Sequence, residues 1–141
     1  MKYIIAKGKD EDANILKWHP ESQVLVEMNP LQFLKLTPLL TNNTIRKNSL
    51  DNLINRLENN LSIDIPYLDL DIKTCEIQNH EGRHRALASY IVGLKKIPII
   101  VYLRDSFKYV DKDTIDVDKI CKIIKSQKCG LRDKHNYEII F

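Results

Sequence analysis

The nearly continuous apolar run IPIIVYL, at positions 97–103, constrains the fold of this chain more than any other feature. Such a run is typical of a central strand with both faces buried. It follows a segment, Gly82 to Leu94, whose apolar residues recur at helical spacing. The apolar stripe of that helix consists of Ala86, Leu87, Tyr90, Ile91 and Leu94. Because a short strand at Thr74 to Asn79 precedes the helix, this order predicts an α/β (α+β) fold, a small mixed sheet with helices packed on it.

The N-terminal half supplies elements of the same kind. The segment QVLVEM, Gln23 to Met28, is rich in β-branched residues and predicts a strand. Asn29 then caps a short helix over 30–36, which has proline at its first position. A second amphipathic helix is predicted from Leu50 to Asn60, with Ser49 as its N-cap.

Further segments complete the predicted layout. Ile63 to Leu70 alternates loosely and predicts an edge strand, because Pro66 has no N–H for a ladder. Beyond a charged loop, Ile115 to Gln127 predicts an amphipathic helix with lysines on its outer side. Short strands are predicted at the two ends of the chain, Lys2 to Lys7 and Tyr137 to Phe141.

Length and composition set the broad class. The 141 residues predict one domain over 1–141, with its core at about 23–103 and a basic helix at about 115–128. The net charge of +3 neither requires a nucleic-acid partner nor excludes one. The sequence has no apolar stretch of membrane-spanning length and no signal-peptide pattern, so we predict a cytoplasmic protein without a membrane partner. The three cysteines lack CxxC spacing, which predicts reduced thiols.

The candidate site is the segment HEGRHR, His80 to Arg85, between a predicted strand and a predicted helix. A helix N-terminus offers unpaired N–H groups and a partial positive charge. Gly82 would let a ligand approach the backbone closely, and the two arginines and two histidines add donors suited to phosphate oxygens. The segment therefore predicts an anion pocket, and phosphate is the anion that it fits best.

Helical periodicity places Arg83 on the inward line of its helix together with Leu87, and His84 and Arg85 on the flank and outer side. A guanidinium that points at the core needs a partner, either an acidic side chain or a bound anion. The alternative without a ligand is that Glu81 caps the helix and the arginines pair with surface carboxylates.

A spaced pattern extends around this segment, from Pro66 to Tyr102. It comprises GRHR at 82–85, Ala86, Ala88, Gly93 and IPIIV at 97–101. This pattern resembles the ParB/sulfiredoxin superfamily, whose members carry a strand, a G-x-[H/R]-R turn, an alanine-containing helix, a glycine and an I/V-P-V strand. The segment 24–36 and the helix at 50–61 also fit the N-terminal layout of that superfamily, so the resemblance covers roughly residues 23–103.

The resemblance implies that the turn binds nucleotide phosphates. Gly82, His84 and Arg85 would be the phosphate ligands, with Arg83 beside them, and the nucleotide would be CTP, ATP or ADP with Mg²⁺. Sulfiredoxins have a cysteine where this chain has Arg83, so reduction of a sulfinic acid is not expected. The chain would be a lone module of the type found in phages and plasmids, which is often labelled ParB-like nuclease.

Four carboxylates are candidates for catalysis or metal binding. Asp69 and Asp71 share one face of an extended segment, and with Glu81 they could hold Mg²⁺ near a phosphate. Glu27, at the end of the first strand, would be a general base in kinase-like members of the resembling superfamily. A solvated surface position is the simpler interpretation of each.

Basic, histidine and aromatic side chains give further candidates. His80 and His84 have the spacing of a metal-binding pair on a helix, although His80 precedes the predicted helix. Trp18 and Tyr67 could stack on a base, or simply pack. One face of the C-terminal helix could follow a DNA backbone or could simply be solvated. Its basic residues are Lys119, Lys122, Lys125 and Lys128.

We therefore predict a domain that binds the phosphate of a nucleotide or a nucleic acid. Arg83, His84 and Arg85 would stabilise charge on phosphoryl oxygens, which leaves NTPase or phosphotransfer activity open. Two alternatives remain, a metal-dependent DNA nuclease and a non-enzymatic DNA- or protein-binding module of a phage or plasmid. The sequence leaves the oligomeric state unknown.

Overall fold

The computed structural model describes residues 19–125 and 130–131, and within them helices pack on a mixed sheet, as the sequence predicts. The strands are β1 (Gln23–Met28), β2 (Tyr67–Asp71), β3 (Glu76–Glu81), β4 (Ile97–Asp105), β5 (Lys108–Tyr109) and β6 (Gly130–Leu131). The helices are α1 (Pro30–Lys35), α2 (Lys47–Glu58), α3 (Arg83–Ile91) and α4 (Val117–Lys125).

The strand order is β1-β4-β2-β3-β6, and β5 forms a short antiparallel pair with the end of β4. The apolar strand β4 lies between β1 and β2, which confirms its predicted central position. The prediction that the segment around Pro66 forms an edge strand is wrong, because β2 pairs with β3 on one side and β4 on the other. Pro66 is tolerated because it precedes β2, where its carbonyl accepts a hydrogen bond from the N–H of Ile100 at 3.0 Å.

The main core lies between the helices and one face of the sheet. Alternate residues of β1 point into it, namely Val24, Val26 and Met28. Leu68 and Leu70 of β2 join the same cluster. The intervening residues of the sheet face the other way, where Tyr102 and Ile100 are buried in a smaller cluster.

Helix α3 is the predicted amphipathic helix, with a different buried face. It ends as predicted, with Gly93 at a φ of 88° just after the C-cap residue. Tyr90 and Ile91, which were expected to be buried, are exposed, whereas Ala88 and Ser89 are fully buried. The reason is that α3 packs against both α1 and α2, so the buried surface covers a broader sector of the helix than one stripe.

The sequence predicts an N-cap residue for each of the helices α1 and α2, and one of the two predictions is confirmed. Asn29 caps α1 as predicted, with its side chain accepting a hydrogen bond from the N–H of Leu31 at 2.8 Å. The predicted cap of α2 is wrong, because this helix begins at Lys47 with Arg46 as its N-cap residue. Ser49 therefore lies in the first turn rather than before it.

One cysteine departs from the prediction of three reduced thiols. Cys75 is in a disulfide, whereas Cys121 is a reduced, half-buried thiol. Cys75 precedes β3, where Glu76 lies beside Gly130 of β6, so the chain after α4 returns to this edge of the sheet. Sequence spacing does not show this return, which depends on strand pairing between distant segments.

Several predictions concern residues outside the described ranges. They are the terminal strands at 2–7 and 137–141, the stacking of Trp18, the state of Cys129, and the side chains of Lys125 and Lys128. Among the described helices, none has both the length and the apolar character that crossing a membrane requires.

Candidate functional site

The turn between β3 and α3 is built around a glycine. Gly82 has a φ of 107°, which side chains other than glycine rarely adopt, and it is the N-cap residue of α3. A Cβ atom at this position would lie 2.7 Å from the Cβ of Pro66. A glycine is therefore needed at position 82 because the chain that enters β2 passes close to it. This packing contact, and not the approach of a ligand, explains the glycine.

Beside this turn lies a cleft of about 670 Å³, between the first turn of α3, one side of α2 and the end of β3. The predicted segment His80 to Arg85 lines it throughout. The chain has six arginines, and four of them lie in the wall of this one cleft. These four are Arg46, Arg56, Arg83 and Arg85.

Backbone carbonyls hold three of these arginines, and for two of them, Arg83 and Arg56, no acidic side chain is paired with the guanidinium in the described residues. Nη1 of Arg83 donates to the carbonyl of Pro38 at 3.2 Å. Nε and Nη2 of Arg56 both donate to the carbonyl of Ser62, at 2.9 and 2.7 Å. The carboxylate or anion partner predicted for Arg83 is thus replaced by a neutral carbonyl. Neither guanidinium has a carboxylate within ion-pair distance in the described part of the chain, so their charge remains available to a ligand.

Among the described residues, Arg85 is the cleft arginine that forms an ion pair with an acidic side chain. Its Nη2 lies 2.8 Å from Oε1 of Glu81, and its Nη1 donates to the carbonyl of Ile65 at 3.1 Å. The prediction that Arg85 faces outward is wrong, since its side chain is only 13% exposed. The segment before β2 packs over that flank of α3 and encloses it.

Two helices begin at the cleft. Both α2 and α3 lack a side-chain cap from their N-cap residues, Arg46 and Gly82. The first N–H groups of a helix point outward from its N-terminus and carry a partial positive charge. The cleft therefore combines two helix N-termini with the arginine side chains, and all of these groups favour an anion.

A hydrogen bond joins these two helix N-termini. Nε2 of His84 accepts it from the backbone N–H of Arg46, at 2.9 Å. An accepting Nε2 leaves the proton of the neutral imidazole on Nδ1. Partial burial lowers the pKa of His84, and the nearby charges of Arg46 and Arg83 lower it further. His84 is consequently a neutral side chain that fixes one cleft wall against the other.

His80 also lines the cleft, at the end of β3. Burial lowers its pKa, and the charge of Arg83 adds to the effect. No cluster of three or more histidine, cysteine or acidic side chains suited to a metal ion occurs within residues 19–125 and 130–131. The pair His80 and His84 therefore gains no third ligand from this part of the chain.

The other predicted carboxylates lie away from the cleft. Asp69 is buried beside Arg104, whose Nη1 lies 3.2 Å from its Oδ2, and burial raises the pKa of Asp69 despite that charge. Glu27 is exposed on β1, opposite Pro98. Of the predicted catalytic carboxylates, only Glu81 lines the cleft.

The surroundings of Asp71 do not fit a magnesium site. Its Oδ1 accepts hydrogen bonds from the N–H groups of Lys73 and Thr74, and its Oδ2 accepts one from Gln78. These bonds use the carboxylate to close the turn between β2 and β3. Magnesium bound together with a nucleotide stays a prediction.

The remaining predicted contacts also lie outside the cleft. Tyr67 packs edge to face on Tyr102, with ring centroids 5.5 Å apart. Lys119 and Lys122 are exposed on α4, as the predicted basic face requires. The structure thus brings together residues 80–85 and leaves the lysines on a separate surface.

Sequence reasoning missed the contribution of α2. Its polar side supplies Arg46, Ser49, Asn52 and Arg56 to the cleft. Their spacing of three or four residues is visible in the sequence, but such a stripe usually faces solvent. The scarcity of arginine and its recurrence on this stripe were the available signal.

The chain was compared with protein-family models, with curated proteins and with solved structures, and none of them matches it. The resemblance to the ParB/sulfiredoxin superfamily therefore stays a prediction.

Proposed function

We propose that this chain binds the phosphate groups of a nucleotide or a nucleic acid in the cleft between α2 and α3. The observation that carries the proposal is the gathering of four of the six arginines in the wall of one cleft at which two helices begin. Arg56, Arg83 and Arg85 are half-buried and Arg46 is exposed, so their like charges repel one another across the cleft, and a bound anion would offset that repulsion. A phosphate offers several oxygens to guanidinium and backbone N–H donors at once.

The charged and histidine side chains of the cleft would have different roles in binding a phosphate. Arg83 and Arg46 would contact the phosphate directly, together with the N–H groups at the start of α3. His84 would keep the two walls in register through its bond to Arg46. Arg85, which is paired with Glu81, would contribute less charge than the other arginines.

Isothermal titration calorimetry with CTP, ATP and ADP tests the proposal. At least one of them should bind, and Arg83→Gln should weaken it by about ten- to a hundredfold, since a hydrogen bond to a charged group contributes about 1.5–3 kcal/mol. Lys95→Ala is the matched control, because it removes one exposed positive charge beyond the opposite end of α3. Equal weakening by both variants, or binding of none of the three nucleotides or of nucleic acid, would overturn the proposal.

Turnover is a separate question with its own assay. Release of inorganic phosphate from the bound nucleotide would indicate NTPase activity, and Glu81 is the predicted catalytic carboxylate that lines the cleft. Binding without turnover would indicate a recognition module.

A further inference from the structure

The positive charge of the cleft is distributed along α2 and is not confined to one end. Arg46 precedes the first residue of this helix, and Arg56 lies in its last turn. Both line the same cleft. At 1.5 Å of rise per residue the two positions are roughly 15 Å apart along the helix axis. The cleft therefore follows most of the length of α2.

We call the part of the cleft that runs along α2 from Arg46 to Arg56 the track. Its two ends are electrostatically distinct. The charges of Arg46 and Arg83 both act on the neutral His84 between the two helices and lower its pKa, so these two arginines form one cationic end. Arg56 does not contribute to that shift, and its guanidinium is fixed at the carbonyl of Ser62. A second cationic point thus stands at the far end of α2, and it is held there by two hydrogen bonds.

The wall between these ends is weakly polar. It includes Asn52, Leu53 and Ile63. Two acidic residues also line the cleft, Glu81 and Asp64, and Glu81 is paired with Arg85. The described lining contains no phenylalanine, tyrosine or tryptophan, so it offers no aromatic platform for stacking a base. Recognition along the track must depend on charge and hydrogen bonding.

We infer that the cleft takes a single strand of nucleic acid, lying along α2 with one phosphate at the start of α3 and another at Arg56. This inference rests on the proposed phosphate binding and selects among its ligands. The phosphates of a nucleoside triphosphate are adjacent and would occupy only one end of the track. A strand repeats its phosphates along its length, so it can meet both cationic points.

Fluorescence anisotropy or calorimetry with graded probes tests this inference. The probes are thymidine monophosphate, thymidine 3′,5′-bisphosphate and oligothymidylates of increasing length. Affinity should rise by at least about tenfold from the monophosphate to the oligomers and then level off. The plot of log K against log salt should steepen by about 0.7 for each additional phosphate contacted.

The variant Arg56→Gln separates the two ends of the track. It should weaken oligothymidylate binding by at least about tenfold and reduce the salt slope by about 0.7, and its effect on the monophosphate affinity should be clearly smaller. The glutamine Nε2 occupies the position of the arginine Nε and can still donate to the carbonyl of Ser62, and thermal melting checks that the fold is retained. Lys95→Ala, which removes the same charge elsewhere, should leave both affinities unchanged.

The failure of this inference and the failure of the proposed function give different results. If CTP, ATP or the thymidine monophosphate binds as tightly as any oligomer, the strand is excluded and phosphate binding stands. Equal loss of monophosphate and oligomer affinity in Arg56→Gln would also overturn the strand. If no probe binds, the proposed function itself fails.

Discussion

The imidazole of His84 and the backbone N–H of Arg46 are hydrogen-bonded at 2.9 Å, although 38 residues separate them in the chain. The bond joins the first turn of α3 to the N-cap residue of α2. Both helices pack together beyond this point. The two walls of the cleft are therefore connected directly at the end where the cations converge.

Removing this bond should cost stability. We expect His84→Ala to lower the free energy of unfolding by about 0.5–1.5 kcal/mol, the net contribution of a typical hydrogen bond. His84→Gln should lose less, because its side-chain oxygen can accept from the same N–H. Urea unfolding of the two variants measures the difference. Equal losses would contradict a specific role for the acceptor at this position.

The histidines of the cleft also predict how stability depends on pH. Both His84 and His80 have a pKa below the ordinary value of 6.5, with burial as the main cause and the arginines adding to it. The unfolded chain therefore binds these protons more tightly than the folded chain does. The free energy of unfolding should therefore increase as pH rises towards 6.5. It should decrease as pH falls below 6.5, because the unfolded chain then takes up protons that the folded chain does not.

The double variant His80→Gln, His84→Gln should flatten this pH dependence. Denaturant unfolding at a series of pH values provides the measurement. The charged groups that act on these imidazoles are Arg46, Arg83 and Glu81, so Arg46→Gln should flatten the profile in part. A profile that is unchanged in the double variant would contradict the assignment.

The two described glycines with positive φ offer a matched pair of substitutions. Gly93→Ala meets open space at a φ of 88° and should cost only the strain of a left-handed residue, about 1–2 kcal/mol. Gly82→Ala adds a clash with Pro66 and should cost roughly 1–3 kcal/mol more. Thermal unfolding measures both. Equal losses would show that the contact between the turn and Pro66 is not tight.

The ion pair in the cleft predicts a gain of affinity. Glu81→Gln removes the acid that is paired with Arg85, so the guanidinium becomes free to bind phosphate. Affinity for ATP should rise by about two- to fivefold, in line with the free energy of a partly exposed ion pair. Calorimetry measures this affinity, with Glu27→Gln as a control for charge on a strand outside the cleft. A loss of affinity would show that Glu81 itself contacts the ligand.

Much of the fold could be predicted because local patterns determine it. The apolar run of β4 and the capped helix α1 have strong short-range signals, and the structure confirms them. The position of β2 could not be predicted from Pro66, because strand order depends on pairing between distant segments. The exposure of Tyr90 could not be predicted either, because it depends on which helices pack beside α3.

One wall of the candidate site could be predicted from the sequence, and the other could not. The segment at 80–85 is contiguous, so its donors are visible together in the sequence. Arg46 and Arg56 lie on another helix, and only the packing of α2 against α3 brings them to the cleft. Asp69 illustrates the converse case, since the sequence groups it with the site, whereas the structure buries it beside Arg104 and away from the cleft.

The most direct test of the central claim is an amide chemical-shift titration by NMR. Adding ATP or an oligothymidylate should shift the backbone N–H signals of Arg83, His84 and Arg85 most, followed by those at the start of α2. A matched titration of Arg83→Gln should reduce these shifts. If the signals that move are instead those around Lys119 and Lys122, or if none moves, the cleft is not the phosphate site.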